Sequence, residues 1–303
     1  MSGRHAIIDA GDRLDCEAIA EFQRRAFHDL RMPMDPASVQ TPAYYAWKYR
    51  TPWGPARVAT MIQDGDRASM VAAVPTLFAC GSERFTAWQI CDIATAPRWR
   101  RQGFFRASLS ALLGDLPRDA PVFCLPNRNS RHLLPAMGFR DIGRLRVHVS
   151  TAALFASRYE PRPDGAVEAL IAAEASEFRT FADPGGIDWR FQRRPGVSYA
   201  RIHLGDAGAM VRTLEQTGMR KLVVMRIWAR DAAARARVLR TVRSYARASK
   251  VPLVIYLDSA WHGSVTPPFL PVPATLLPRP LPLLARAFPS RPIRFDAADW
   301  DVL

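Results

Sequence analysis

Alternating apolar and polar positions predict strands over residues 56–63, 69–78 and 85–96, and the turns between them, Asp64-Gly65-Asp66 and Gly81-Ser82, suit hairpins. A shorter strand over 5–9 precedes them. Leu14, Ala18, Ile19, Phe22 and Phe27 then mark one face of a helix that Asp12 is placed to cap. Pro33, Pro36 and Pro42 make the stretch up to Tyr44 a loop. Further along, 121–125 and 221–228 read as strands, 232–248 as a helix with Val238, Leu239, Val242 and Tyr245 on one face, and 251–257 as another strand. The polar, proline-broken run 158–165 is the best candidate linker.

The sequence after that linker echoes the sequence before it. The segment around Trp47-Lys48-Tyr49, which leads into a strand, is matched by one around Trp189-Arg190-Phe191, which also leads into one. Residues 221–257 repeat the strand, helix, strand order of 85–125, and together these echoes predict an internal duplication. The alternative is a short Trp-basic-aromatic motif arising twice at core-packed helix ends. The proline-dense run 267–292 reads as an extended loop wrapping apolar surface, and 293–302 as a last strand.

One junction carries chemistry. Residues 90–95 read as a buried strand that Pro97 stops, and Gly103 opens a helix whose Phe104, Leu109, Leu112 and Leu113 lie at helical spacing. Between them lies an arginine-rich turn. A helix N-terminus presents unpaired N–H groups and a partial positive charge, so this turn is an anion cradle, and Gly103 removes the Cβ that would hold a phosphate away.

The chain of 303 residues is long enough for two domains and is 49% hydrophobic, as globular proteins are. Its formal net charge of +14 suits acidic or phosphate-bearing partners. Lys48, Lys221 and Lys250 are its only lysines, however, and the arginines are spread along the chain rather than clustered, so no nucleic-acid partner is expected. Cys16, Cys80, Cys91 and Cys124 show no metal-ligand spacing, which predicts reduced thiols and no metal. The N-terminus lacks a basic region followed by an apolar core, and no apolar run approaches membrane-spanning length, so a cytoplasmic protein is expected.

The hexapeptide Arg100-Arg101-Gln102-Gly103-Phe104-Phe105 resembles the acetyl-CoA signature of the GNAT (GCN5-related N-acetyltransferase) superfamily, Gln/Arg-x-x-Gly-x-Gly/Ala, and departs from it at Phe105. Downstream, the strand 121–125 and the run from Pro126 through Asn127, Asn129 and Ser130 to Gly138-Phe139 are similar to that family's second motif. The resemblance implies an α/β (α+β) fold of two tandem GNAT-like domains, each a mixed, mostly antiparallel twisted sheet flanked by helices. Residues 1–156 would be the catalytic domain with an acetyl-CoA site. Residues 166–303 would be a degenerate copy without cofactor, since no glycine lies between Trp228 and Val238.

By the same resemblance, the backbone N–H groups of Ile93, Ala94 and Thr95 bond pantetheine and polarise the thioester. Arg98, Arg100, Arg101, Gln102, Gly103, Phe104 and Phe105 surround the pyrophosphate, and Asn127, Asn129 and Ser130 contact pantetheine. The family's basic Glu is replaced by Gln89, which cannot take a proton. Asp92, the carboxylate of this strand, is the candidate base or amine anchor, with a structural hydrogen-bonded role as the alternative. The family's acidic Tyr is replaced by Leu134, with His132 a nearby substitute or a plain surface histidine. Trp47, Tyr49, Trp88 and Gln89 are the candidates for the acceptor pocket, the aromatics among them having core packing as the alternative. The implied reaction is direct acetyl transfer from acetyl-CoA to a small-molecule amine, such as an amino sugar, by a monomer or homodimer. Its rivals are a longer acyl-CoA or an acidic carrier protein as donor, aminoacyl transfer, and a silent binding module.

Overall fold

The computed structural model describes residues 4–27, 40–153, 178–180, 183–216, 218–259, 269–273, 275, 281–290 and 293–299. They build two sheets, with strands numbered here in chain order. The first sheet runs β1 (His5–Ala10), β4 (Arg57–Gln63), β5 (Asp66–Cys80), β6 (Glu83–Thr95), β7 (Val122–Cys124), β16 (Pro282–Arg286) and β8 (Arg140–Arg144). The short β10 (Arg179–Thr180) pairs with the far end of β5. The second runs β11 (Ala200–His203), β12 (Ala207–Gln216), β13 (Met219–Ala229), β14 (Leu253–Asp258), β9 (Arg146–Thr151) and β15 (Leu270–Pro271). A two-residue hairpin, β2 (Arg50–Thr51) with β3 (Gly54–Pro55), stands apart.

Each sheet has one parallel pair, β6 with β7 and β13 with β14. Parallel neighbours need a crossover. It is supplied by α3 (Phe104–Asp115) in the first sheet and by α6 (Ala232–Ala248) in the second. α3 buries Leu109 and Leu112 against Ile90 and Val122, while α6 buries Val238, Leu239 and Val242 against Leu222 and Val254. On the other face of the first sheet lie α1 (Cys16–Phe27) and α2 (Pro42–Lys48), which pack Phe22, Tyr44 and Tyr45 on Met70 and Ala72. The expected cap of α1 is corrected by three residues. Asp15 accepts the N–H of Ala18 at 2.9 Å, whereas Asp12 sits in the preceding turn and pairs with Arg50.

The two tryptophan-bearing helices are started by the same device. Thr41 accepts the N–H of Tyr44 ahead of Pro42 in α2, and Asp183 accepts the N–H of Gly186 ahead of Pro184 in α5 (Pro184–Phe191). In both, the tryptophan follows that proline by the same interval. The two tryptophans meet: the rings of Trp47 and Trp189 stack at 4.7 Å and 17°. Each indole N–H donates to the other's carbonyl, at 2.8 Å from Trp47 and 3.1 Å from Trp189. Such reciprocity makes the contact a local two-fold joint between the halves.

The sheets also exchange strands. Leu145 alone separates β8 from β9, yet β8 lies in the first sheet and β9 in the second, antiparallel to β14. In return β16 enters the first sheet between β7 and β8, burying Leu283, Leu284 and Ala285. The expected division into 1–156 and 166–303 therefore does not follow the sheets, because β9 precedes it and β16 follows it. The expectation of an extended wrapping loop over 267–292 is corrected likewise, since β15 and β16 are ladder strands, with Pro271 and Pro282 at strand ends where a missing N–H is tolerated. From 293 to 299 the chain makes bridges at Ile293 and Asp296 and a short turn, in place of the expected strand. Residues 158–165 lie outside the described residues.

The strand exchange is open to test by truncation. A chain ending at residue 156 loses β16 from the middle of a sheet edge and leaves β9 without β14; it is expected to be insoluble or to lack a cooperative unfolding transition, and a soluble fragment with a sharp thermal melt would contradict the exchange. Trp189→Ala removes the stacked ring and one of the two joint hydrogen bonds. It should destabilise the full chain by about 3–5 kcal/mol in denaturant unfolding, whereas a loss under about 1 kcal/mol would show the joint to be incidental.

Candidate active site

β6 and β7 pair only from Trp88–Ile90 to Val122–Cys124. Beyond Cys124 the chain turns away through Leu125-Pro126, so β6 continues to Thr95 with no described strand against that edge. A cleft of about 720 Å³ opens there. Ile93, Ala94 and Thr95 form one wall, and Asn127, Asn129 and Ser130 stand opposite. The latter three belong to the start of α4 (Arg128–Arg131), where the Asn127 side chain accepts the N–H groups of Asn129 and Ser130.

The floor is the turn into α3. Arg101 (φ 63°) and Gly103 (φ 78°) are both left-handed, and Gly103 caps the helix with no side-chain hydrogen bond, leaving its first N–H groups without a side-chain cap. A Cβ added at Gly103 would meet no protein atom within 4 Å, so space for a ligand exists there although the backbone conformation favours glycine. Arg101, Phe104 and Phe105 line the cleft with it. Arg100 lines it too, but its guanidinium is engaged with the carbonyls of Thr95 at 3.3 Å and Ala26 at 2.6 Å, tying the turn to β6 and α1. Two expected contacts fall outside. Arg98 pairs with Asp66, and Gln102 donates to the Arg98 carbonyl at 2.9 Å.

The corresponding helix start beside the second sheet is capped by a side chain. Asp231, in extended conformation, caps α6 by accepting the N–H of Ala234 at 2.8 Å, and that bond holds its carboxyl below the ordinary range. A carboxylate thus stands at this helix start, where the start of α3 has none.

Asp92 lies beside the cleft wall but behind it. Its Oδ2 receives the Tyr49 hydroxyl at 2.8 Å and Lys48 Nζ at 2.6 Å. Its side chain is 12% exposed and that of Lys48 3%. Burial, reinforced by the Asp92 charge, pushes the Tyr49 hydroxyl well above its usual range, so it stays a donor. Asp92 is also left-handed (φ 49°), a conformation that costs a non-glycine residue about 1–2 kcal/mol.

Of the four residues expected to line an acceptor pocket, Trp47 and Gln89 share one small cavity, with Trp189 and Asp299, while Tyr49 and Trp88 lie elsewhere. Trp47 is in the joint with Trp189, Tyr49 is buried on Asp92, and Gln89 donates to the Asp299 carbonyl at 2.8 Å. Trp88 packs on the opposite face of the sheet, with the α3 core. Leu134 is fully buried, while His132 is on the cleft rim. Sequence reasoning missed Lys48 as the partner of Asp92, and it missed Trp99, Arg106 and the Ala26-Phe27 wall of the cleft. For Lys48 there was a signal, since a lysine is rare in a chain that otherwise uses arginine. Among the described residues no metal-binding cluster occurs, and no helix is long and apolar enough to cross a membrane.

A family model for the acetyltransferase (GNAT) domain matches residues 9–159. Solved structures resemble most of the chain. A probable N-acyltransferase from Enterococcus faecalis V583, described as a conserved protein of unknown function, aligns with a TM-score of 0.65 at 13% identity over 93% of this chain and 72% of that one. A GCN5-related N-acetyltransferase from Anabaena variabilis ATCC 29413 gives 0.63 at 11% identity over 93% and 73%. One from Kribbella flavida gives 0.60 at 12% over 92% and 71%. A search of curated proteins found no match. With the signature turn, the splayed parallel pair and the crossover helix all inside the matched segment, the chain belongs to the GNAT superfamily and is an acyltransferase.

Proposed function

We propose that the protein transfers an acetyl group from acetyl-CoA directly to the amino group of a small molecule, an amino sugar or another biosynthetic amine. The observation that carries this reading is the cleft in which the open edge of β6 meets the left-handed turn at the start of α3. The residues fit such a donor. An extended pantetheine arm matches an unpaired strand edge, and a pyrophosphate matches free helix N–H groups beside Arg101. The donor supplies an acyl group already activated as a thioester. The chain's own work is then to hold that group still and offer N–H groups at 93–95 to its carbonyl, so that a neutral amine attacks it at close range. Neither Cys91 nor Cys124 is placed as a nucleophile. Both are buried, and burial pushes the Cys124 thiol up, away from the reactive thiolate.

In this reading the second half is a degenerate copy of the first and holds no donor, because Asp231 fills the matching helix start. The net charge of +14 favours one alternative, delivery of a longer acyl group by an acidic carrier protein. Release of free thiol from acetyl-CoA over a panel of small amines separates the two, since a carrier-dependent enzyme would show no amine-stimulated release.

Binding is tested by melting temperature. CoA should raise that of the full chain, and Gly103→Glu, which places a side chain and a negative charge in the cradle, should abolish the shift. A shift of equal size in the variant would remove this turn from the donor site.

A further inference from the structure

The β5–β6 ladder breaks its register beside the cleft. Met70 faces Ala94 and Ala72 faces Cys91, so Asp92 and Ile93 together oppose Val71. That is a β-bulge, with Asp92 as its left-handed residue. Its effect is visible in the packing. Cys91 and Ala94 share the core beneath α1 and α2, while Ile90 and Ile93 share the core beneath α3, a spacing of three where an unbroken strand would give two. Residues 93–95, the wall of the cleft, therefore owe their facing to the extra residue.

A left-handed aspartate at such a place requires support, and contacts converge on it. Gln23 of α1 donates to the Asp92 carbonyl at 2.9 Å, and Lys48 and Tyr49 hold its Oδ2. Lys48 and Tyr49 directly follow Trp47, so the clamp is anchored in the joint with the second half. Asp92 itself does not line the cleft, whereas its three successors do.

We propose that Asp92 is a positioning residue and not the proton acceptor of the transfer: clamped by Lys48 and Tyr49, it sets the bulge that turns residues 93–95 toward the acyl donor. This rests on the reading of the cleft as the acyl-CoA site. A base and a clamp respond differently to substitution. A base is lost with its carboxylate, whatever replaces it. A clamp is replaced by any residue that takes the left-handed conformation on its own, glycine best, asparagine next and alanine poorly.

The experiment titrates acetyl-CoA into the full chain by calorimetry and follows acetyl-CoA hydrolysis in parallel. The proteins compared are the parent, Asp92→Ala, Asp92→Asn, Asp92→Gly, and Asp92→Gly combined with Lys48→Met, which avoids leaving a buried ammonium unpaired. Asp92→Ala is expected to weaken acetyl-CoA binding about tenfold or more, and the Lys48→Met, Asp92→Gly pair to recover affinity to within about threefold of the parent, with asparagine between them. Equal weakening in Asp92→Ala and in the Lys48→Met, Asp92→Gly pair, or parental affinity in alanine, would overturn the proposal. So would normal binding in all variants with an equal loss of hydrolysis, which would make Asp92 the proton acceptor. If the parent binds neither acetyl-CoA nor CoA, the donor-site reading itself fails and the proposal with it.

Discussion

In each sheet the outer strand of the parallel pair takes its second ladder partner from the other half of the chain. β16 pairs with β7 in the first sheet, and β9 pairs with β14 in the second. The exchange is tight: the chain passes from one sheet to the other across Leu145, whose N–H donates to the Leu281 carbonyl and whose side chain is buried. The stacked tryptophans close the same interface from the side of α2 and α5. Neither half has a complete sheet without the other, so the second half is part of the scaffold of the first.

That constraint places the cleft. With β16 holding β7 in register, β6 and β7 are fixed where they pair and free to diverge where they do not, and the divergence is the cleft. α3, obliged to cross between them, brings its open N-terminus to the same point. The second sheet repeats the parallel pair, the crossover helix and a register break, here in its β12–β13 ladder, yet its helix start carries the Asp231 cap where α3 has Gly103. Its polar resources go elsewhere. Arg226 of β13, 1% exposed, binds Asp296 at 2.8 Å, and Arg294 holds Asp258, so a buried ion network pins the C-terminal segment against the second sheet. A buried charge of this kind persists only when paired, which ties the segment's position to both aspartates.

Much of this was legible in the sequence, and the limits have physical causes. The β4–β6 meander, α3 and α6 announced themselves because their patterns are local: alternation between turn residues, or apolar spacing on one helix face. The left-handed turn into α3 was legible because Gly103 interrupts an arginine-rich run just ahead of a helical apolar pattern. The Trp47 and Trp189 echo pointed to a repeated helix, but not to the stacking of the two residues on each other, and the Thr41-Pro42 and Asp183-Pro184 caps, a second echo, went unread. The strand exchange was hidden for a different reason. β16 is short, preceded by prolines, and pairs with strands more than a hundred residues away, so nothing local marks it as a sheet interior. Asp92 read as a candidate base or amine anchor, with a structural role as the alternative, because it is the carboxylate of the stretch 85–96. The three-residue spacing of Ile90 with Ile93 and of Cys91 with Ala94 was the available sign of a bulge, and it acquires meaning only when the cores on the two faces are known.

The central claim is that two sheets of like topology are locked together while only the first keeps a donor site. Native mass spectrometry of the intact chain with saturating CoA counts those sites directly. One CoA per chain is the predicted result. Two per chain would mean that Asp231 does not close the second helix start, and none would mean that the cleft beside β6 is not a CoA site.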